Sequence, residues 1–238
     1  MSLPKLNAVP KYEVVVPSTG QTVKYRPFLV KEEKVLMMAV ESEDMQAAVK
    51  AVVDTIDACI DGGIEKESLT TFDVEYLFTQ IRTKSVGESA NIKLACNQCQ
   101  TENEVKVALD TIQVNFPDPQ PSNEINLTDD ISIKMRWPKY YDILNTGFTS
   151  GQGHAADATF DVLTKCIESV RTENEQTLMS EVTKAEQMEF VESLTREQLE
   201  KVQEYVESIP KMETDFDYLC EKCGHKNEVH LEGMQNFF

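Results

Sequence analysis

The chain has 238 residues, 41% hydrophobic and 27% charged, with a formal net charge of −18, the composition of a soluble globular protein with enough residues for one large domain or two small ones. No apolar run approaches the roughly 20 residues of a membrane span, and MSLPKLNAVPKYEVVV holds no apolar stretch long enough for a secretory signal, so the expected address is a cytoplasm where thiols stay reduced and paired cysteines favour metal over disulfide. The sign of the charge opposes nucleic acid and anionic membranes as partners and favours a basic protein partner instead.

In chain order, residues 12–16 (YEVVV) and 21–28 (QTVKYRPF) flank Pro-Ser-Thr-Gly and read as a β-hairpin. Residues 29–41 read as a helix. From Met45, the stripe Ala48, Val49, Val52, Val53, Ile56, Cys59 and Ile60 predicts a second helix, stopped by Asp61-Gly62-Gly63. Ser68-Leu69-Thr70 opens a third, with Val74, Leu77 and Ile81 on one face. Ala90–Leu94, a Cys-x-x-Cys pair and Glu104–Leu109 read as strand, knuckle, strand. The segment Phe116-Pro-Asp-Pro-Gln-Pro121 favours an extended linker, assigned to 117–124. A second hairpin is expected at Ile125–Leu127 and Ile131–Trp137, then a helix from Tyr140, a flexible loop at Gly147–Gly153, and helices over 155–170, 181–192 and 195–209. A second strand, knuckle, strand ends the chain before Phe237-Phe238, which we expect to pack on their own knuckle.

The charge is concentrated. Residues 41–75 hold ten acids and two bases, and residues 172–217 hold thirteen acids and four bases, so the two stretches carry −8 and −9 of the −18. Solvated helical faces are the ordinary reading; acidic docking surfaces for a basic protein are the sharper one.

Four anchors recur in the same order in the two halves. Lys24-Tyr25-Arg26 matches Lys134-Met135-Arg136, and Cys59-Ile60-Asp61 matches Cys166-Ile167-Glu168. Ser68-Leu69-Thr70 matches Ser193-Leu194-Thr195, and Cys96-x-x-Cys99-x-x-x-Asn103-Glu104-Val105 matches Cys220-x-x-Cys223-x-x-x-Asn227-Glu228-Val229. The expectation is an internally duplicated α+β chain. Residues 1–116 form the first repeat and 125–238 the second, which carries an acidic insertion near 171–190. Each repeat would be a small hairpin, helices and a knuckle.

Zinc takes four thiolates at tetrahedral corners, and a two-residue gap lets both thiols of one tight turn reach the same ion. Each Cys-x-x-Cys is half a site. Cys96, Cys99, Cys220 and Cys223 are therefore the candidate ligands of one structural zinc that joins the two repeats. Two disulfides, an iron–sulfur cluster and a redox Cys-x-x-Cys are the competing readings; the first conflicts with a reducing compartment, and no thioredoxin-like βαβ pattern surrounds either pair. Closed four-thiolate zinc has no open position for catalysis. His225 reads as a turn residue, Cys59 and Cys166 as inert core thiols, and Trp137 as packing. No phosphate loop or Ser–His–Asp arrangement stands out, and the many acid pairs are ordinary helix surface.

Lys24-Tyr-Arg-Pro-Phe-Leu-Val-Lys-Glu-Glu-Lys34, entering a helix with Leu36 and Ala39, resembles the opening of the baseplate proteins of T-even-like myoviruses, in their hub and hub-assembly branch. Chain length, acidic balance and the late Cys-x-x-Cys also resemble that family. The resemblance implies a non-enzymatic phage tail component or tail-assembly factor in the host cytoplasm, with other tail proteins, such as a basic or coiled tape-measure-like protein, as partners. The alternative function is a zinc-ribbon binding module acting in transcription or translation, which the charge opposes. A third is an enzyme with an unrecognised site.

Overall fold

A computed structural model describes residues 9–42, 44–144 and 155–233. The fold is α+β with small antiparallel sheets. The chain divides into two compact units, one of Met1–Asn115 with Lys211–Phe238 and one of Phe116–Pro210. The C-terminal hairpin, which the repeat division gives to the second half, thus lies in the first unit.

In the first unit, β1 (Tyr12–Val15) pairs antiparallel with β2 (Thr22–Tyr25), Tyr12 opposite Tyr25. Alternation buries Val14, Val16, Val23 and Tyr25 on one face. Helices α1 (Val30–Glu41), α2 (Met45–Cys59) and α3 (Thr71–Ser85) follow. Asp44 caps α2 by accepting from the N–H groups of Gln46 and Ala47. Thr70 and Asp73 form a capping box at α3, and the other oxygen of Asp73 accepts from Ser18 N at 2.9 Å, tying the helix start to the β1–β2 turn. Helices α2 and α3 bury wide apolar faces, but α1 buries only Glu32.

Two hairpins complete this unit. Strand β3 (Ser89–Ala95) pairs with β4 (Glu102–Ala108). Strands β5 (Gln113–Asn115), β10 (Lys211–Leu219) and β11 (Lys226–Glu232) form a three-stranded sheet in the order β11-β10-β5. Ala90, Val107, Leu109, Ile112, Met212 and Leu231 make one buried cluster between the bases of the hairpins. This core fixes where the hairpin tips lie.

In the second unit, β6 (Glu124–Asn126), β7 (Ile131–Met135), β8 (Ile167–Thr172) and β9 (Gln176–Leu178) form an antiparallel sheet in chain order. Helices α4 (Tyr140–Leu144), α5 (Ala155–Cys166), α6 (Lys184–Glu192) and α7 (Arg196–Glu207) accompany it. Ile133, Met135, Leu163, Cys166, Ile167, Val191 and Val202 are buried in its core. Trp137 packs against that core and lies edge-on to Phe116, ring centroids 6.0 Å apart. Residues 116–123 carry no helix or strand, and β6 begins at Glu124.

Strands β5 and β9 lie outside the sequence reading, and one expected helix is shortened. The helix expected over 155–170 ends at Cys166, and the chain passes directly into β8. Val170 faces Ile133 across the sheet, so pairing with β7 overrides a sequence that carries no helix breaker at that point. The expected loop at 147–153 and the terminal Phe237-Phe238 lie outside the described residues.

The same corner occurs in both units. In the first, Tyr25 bridges Ile60, and Arg26 N donates to Cys59 O at 3.0 Å. The Arg26 guanidinium donates to Glu32 Oε1 at 2.9 Å and to Pro27 O at 3.0 Å, while Leu29 N donates to Glu32 Oε2 at 2.8 Å. In the second, Met135 pairs with Ile167, and Arg136 N donates to Cys166 O at 2.7 Å. The Arg136 guanidinium donates to Asp142 Oδ2 at 2.7 Å and to Trp137 O at 3.3 Å, while Lys139 N donates to the same Asp142 oxygen at 3.0 Å. Burial opposes ionisation of Glu32, but Arg26, the Leu29 N–H and Lys31 outweigh it and hold the carboxyl below its usual range. Helix α7 repeats the capping of α3: Thr195 and Gln198 form its capping box, and Gln198 Nε2 donates to Leu127 O at 3.0 Å, at the β6–β7 turn.

Candidate metal centre

Each Cys-x-x-Cys occupies the tight turn of one hairpin in the first unit. Cys96 follows β3, and Cys99 precedes β4; Cys220 follows β10, and Cys223 precedes β11. The turns share one hydrogen-bond pattern. Cys96 N donates to Thr101 O and Gln100 N to Cys96 O, both at 2.9 Å; Cys220 N donates to His225 O and Gly224 N to Cys220 O, also both at 2.9 Å. The residue after the second cysteine takes left-handed backbone in each turn, Gln100 at φ 58° and Gly224 at φ 70°. That conformation suits glycine and strains glutamine.

The tips face each other. Cys96 Sγ lies 3.7 Å from Cys223 Sγ, and Cys99 Sγ lies 3.6 Å from Cys220 Sγ. All four sulfurs lie within 4.8 Å of one another. Covalent S–S contact needs about 2.05 Å, and all four are free thiols. Four sulfurs about 2.3 Å from one tetrahedral ion would sit about 3.8 Å apart. The donor set and its spacing therefore fit a four-thiolate zinc site.

Two buried asparagines lock the tips together reciprocally. Asn97 N on the first turn donates to Asn227 Oδ1 at the base of the second, at 2.9 Å. Glu221 N on the second turn donates to Asn103 Oδ1 at the base of the first, also at 2.9 Å. Each amide nitrogen closes its own turn, Asn103 Nδ2 donating to Thr101 O at 2.8 Å and Asn227 Nδ2 to His225 O at 3.1 Å, and Asn227 Nδ2 also reaches Cys96 Sγ at 3.6 Å. Tyr218 adds a further tie, its hydroxyl donating to Ala95 O at 3.1 Å. The asparagines were visible in the sequence as the residue four after each second cysteine, but spacing alone gave them no role.

The local dipoles favour thiolates. Desolvation opposes ionisation of Cys96, but the backbone N–H groups of Cys99 and Gln98 and the Asn227 amide outweigh it and lower its pKa. The Thr101 hydroxyl and N–H lower that of Cys99, and the Cys223 and Lys222 N–H groups lower that of Cys220. At Cys223 the His225 N–H favours the thiolate, yet desolvation and the three neighbouring sulfurs push the thiol up to about 12. Three negative sulfurs resist a fourth unless a cation stands among them.

The remaining cysteines take no part. Cys59 and Cys166 are buried at helix ends, where burial pushes their thiols up to about 11 and about 12. His225 enters the turn through its carbonyl and is not in the four-sulfur group. Among the described residues, no helix is long and apolar enough to cross a membrane.

A model of the T4 bacteriophage base plate protein family matches residues 9–238. No curated protein and no solved structure matches the chain.

Proposed function

The chain belongs to the T4 bacteriophage base plate protein family, and we propose that it is a non-enzymatic baseplate hub component or hub-assembly factor that binds other tail proteins and is held together by one structural zinc. The family is matched over nearly the whole chain, so the baseplate context applies to the protein as a unit. The observation that carries the binding role is the outer face of α1. Val30, Val35, Met37, Met38 and Val40 of α1, and Met45 at the start of α2, are all more than half exposed. So many exposed large apolar side chains on one helix mark an interaction surface, and methionine adapts well to a partner's shape. Glu41 and Asp44 are exposed beside it, at the start of the acidic stretch, so the fitting partner is an apolar segment flanked by basic residues on another tail protein. A basic or coiled tape-measure-like protein is the proposed partner. The protein would act in the host cytoplasm during tail assembly.

Zinc at Cys96, Cys99, Cys220 and Cys223 is favoured over a multi-iron cluster because the sulfurs close around one ion's volume. Internal duplication is supported by the reciprocal asparagines, by the recurring arginine–carboxylate corner and by the matched caps of α3 and α7. Each repeat would donate two ligands across a pseudo-two-fold axis.

The test is deletion and complementation in the phage. Removing the chain should halt baseplate assembly. Complementation with a Met38→Glu, Val40→Glu variant should fail, although the variant folds and holds its metal. Normal baseplates in either case overturn the reading. The chain's presence in or absence from purified particles separates component from assembly factor.

A further inference from the structure

We infer that the open end of the β10–β11 hairpin binds one divalent transition-metal ion through His230 Nε2, Glu213 Oε2 and Glu232 Oε2. Antiparallel register sets these side chains on one face: Glu213 stands directly opposite Glu232, and Asp215 directly opposite His230. His230 Nε2 lies 3.6 Å from Glu213 Oε2 and 3.9 Å from Glu232 Oε2, and one ligand atom from each of the three residues lies within 4.8 Å of the others. These separations exceed hydrogen-bond reach. Donors about 2.1 Å from a shared ion sit about 3.0–3.4 Å apart, so a small side-chain rotation closes the set.

The other end of each ligand group is anchored. Asp215 Oδ1 lies 2.8 Å from His230 Nδ1, which leaves Nε2 as the free donor. Asn115 Nδ2 donates to Glu213 Oε1 at 3.1 Å, from the neighbouring strand β5. Lys211 Nζ lies 2.9 Å from Glu232 Oε1. A carboxylate behind a histidine and hydrogen bonds behind ligating carboxylates are how metal sites orient their donors. Two carboxylates directly opposite on a sheet repel unless a cation joins them. The matching positions on β3–β4 are Ser89 opposite Ala108 and Asn91 opposite Lys106, which carry no such donor set. All three ligands are partly exposed, so water can fill the remaining positions. One imidazole and two carboxylates suit Zn²⁺ or Mn²⁺ and not a soft ion such as Cu(I).

This site is independent of the hub proposal and of the four cysteines, and the experiment keeps them apart. Full-length protein, with its cysteine-bound metal as purified, is titrated with Zn²⁺ while the His230 imidazole is followed by NMR and bound zinc by equilibrium dialysis. One further saturable equivalent is expected, with the His230 signals shifting in step. His230→Gln and Glu213→Gln should each weaken it by about tenfold or more, and Asp215→Asn by about tenfold, all without loss of the cysteine-bound metal. No further equivalent, or one that His230→Gln and Glu213→Gln leave unchanged, overturns the inference.

Discussion

The β3–β4 and β10–β11 hairpins match at their tips and diverge at their open ends. At the tips the match extends to single hydrogen bonds: the same turn closures, the same asparagine in the same role, the same left-handed residue. Below the tips an apolar pair is kept, Ile92 opposite Val105 and Phe216 opposite Val229, and Ile92, Phe216 and Val229 pack against the shared core. At the open ends the outward face is neutral or basic on one hairpin and a histidine–carboxylate cluster on the other. A four-thiolate metal site would tolerate little error in distance or direction, which would leave the tips little freedom. A solvent-facing strand position must only avoid clash, so the open ends are free to differ.

The largest effect should come from removing one ligand. If the tips jointly hold one ion, Cys96→Ser and Cys220→Ser are equivalent lesions on different hairpins. Each should lower zinc content from one equivalent to near zero. Each should also loosen both hairpins, because the binding free energy of a structural zinc is folding free energy. Zinc analysis and amide exchange across both hairpins check this. Half the zinc retained, with one hairpin still protected, would falsify the shared site.

How much of this was legible in the sequence follows from the range of each interaction. The cysteine pairs were legible because ligand spacing on a turn is local. The hairpins, α2 and α3 were legible because apolar period and turn residues are local too. The edge strands β5 and β9 were missed: each has three residues, and partners set them, not their own pattern. The helix overrun past Cys166 has the same origin, since Val170 joins β7 through non-local pairing. The histidine–carboxylate cluster was hidden because its members, Glu213, His230 and Glu232, meet only through strand register. The unit boundary was hidden because β5 and β10, nearly 100 residues apart, pair directly.

A smaller effect should follow from the asparagines. Asn103→Ala removes the acceptor for Glu221 N on the other hairpin, and Asn227→Ala removes the acceptor for Asn97 N. A part-buried N–H left without a partner costs about 1–3 kcal/mol. Asn227→Ala also removes the Asn227 Nδ2 bond to Cys96 Sγ, so it should cost the more of the two by about 0.5–1 kcal/mol. Both act on one interface between the hairpin tips, so the double variant should depart from additivity. Denaturant unfolding of the zinc-loaded proteins measures all three. Asn103→Ala costing more than Asn227→Ala would break the comparison, because the bond to Cys96 would then add nothing.

The smallest effect separates the tips by one residue. Gln100 and Gly224 hold the same left-handed position, and only the glycine is unstrained there. A Cβ at Gly224 would meet nothing within 4 Å, so a side chain costs backbone strain alone, about 1 kcal/mol. Gly224→Gln makes the second tip like the first and should destabilise by about that amount. Gln100→Gly makes the first like the second and should stabilise by less, because glycine also gains freedom in the unfolded chain. Midpoints of denaturant unfolding at saturating zinc report both, with unchanged slope. Opposite signs would show that the tips share a backbone requirement as well as a ligand set. Equal signs would mean that Gln100 earns its place through its side chain, whose Nε2 reaches Asn97 O at 3.4 Å, and the likeness of the tips would then end at the cysteines and asparagines.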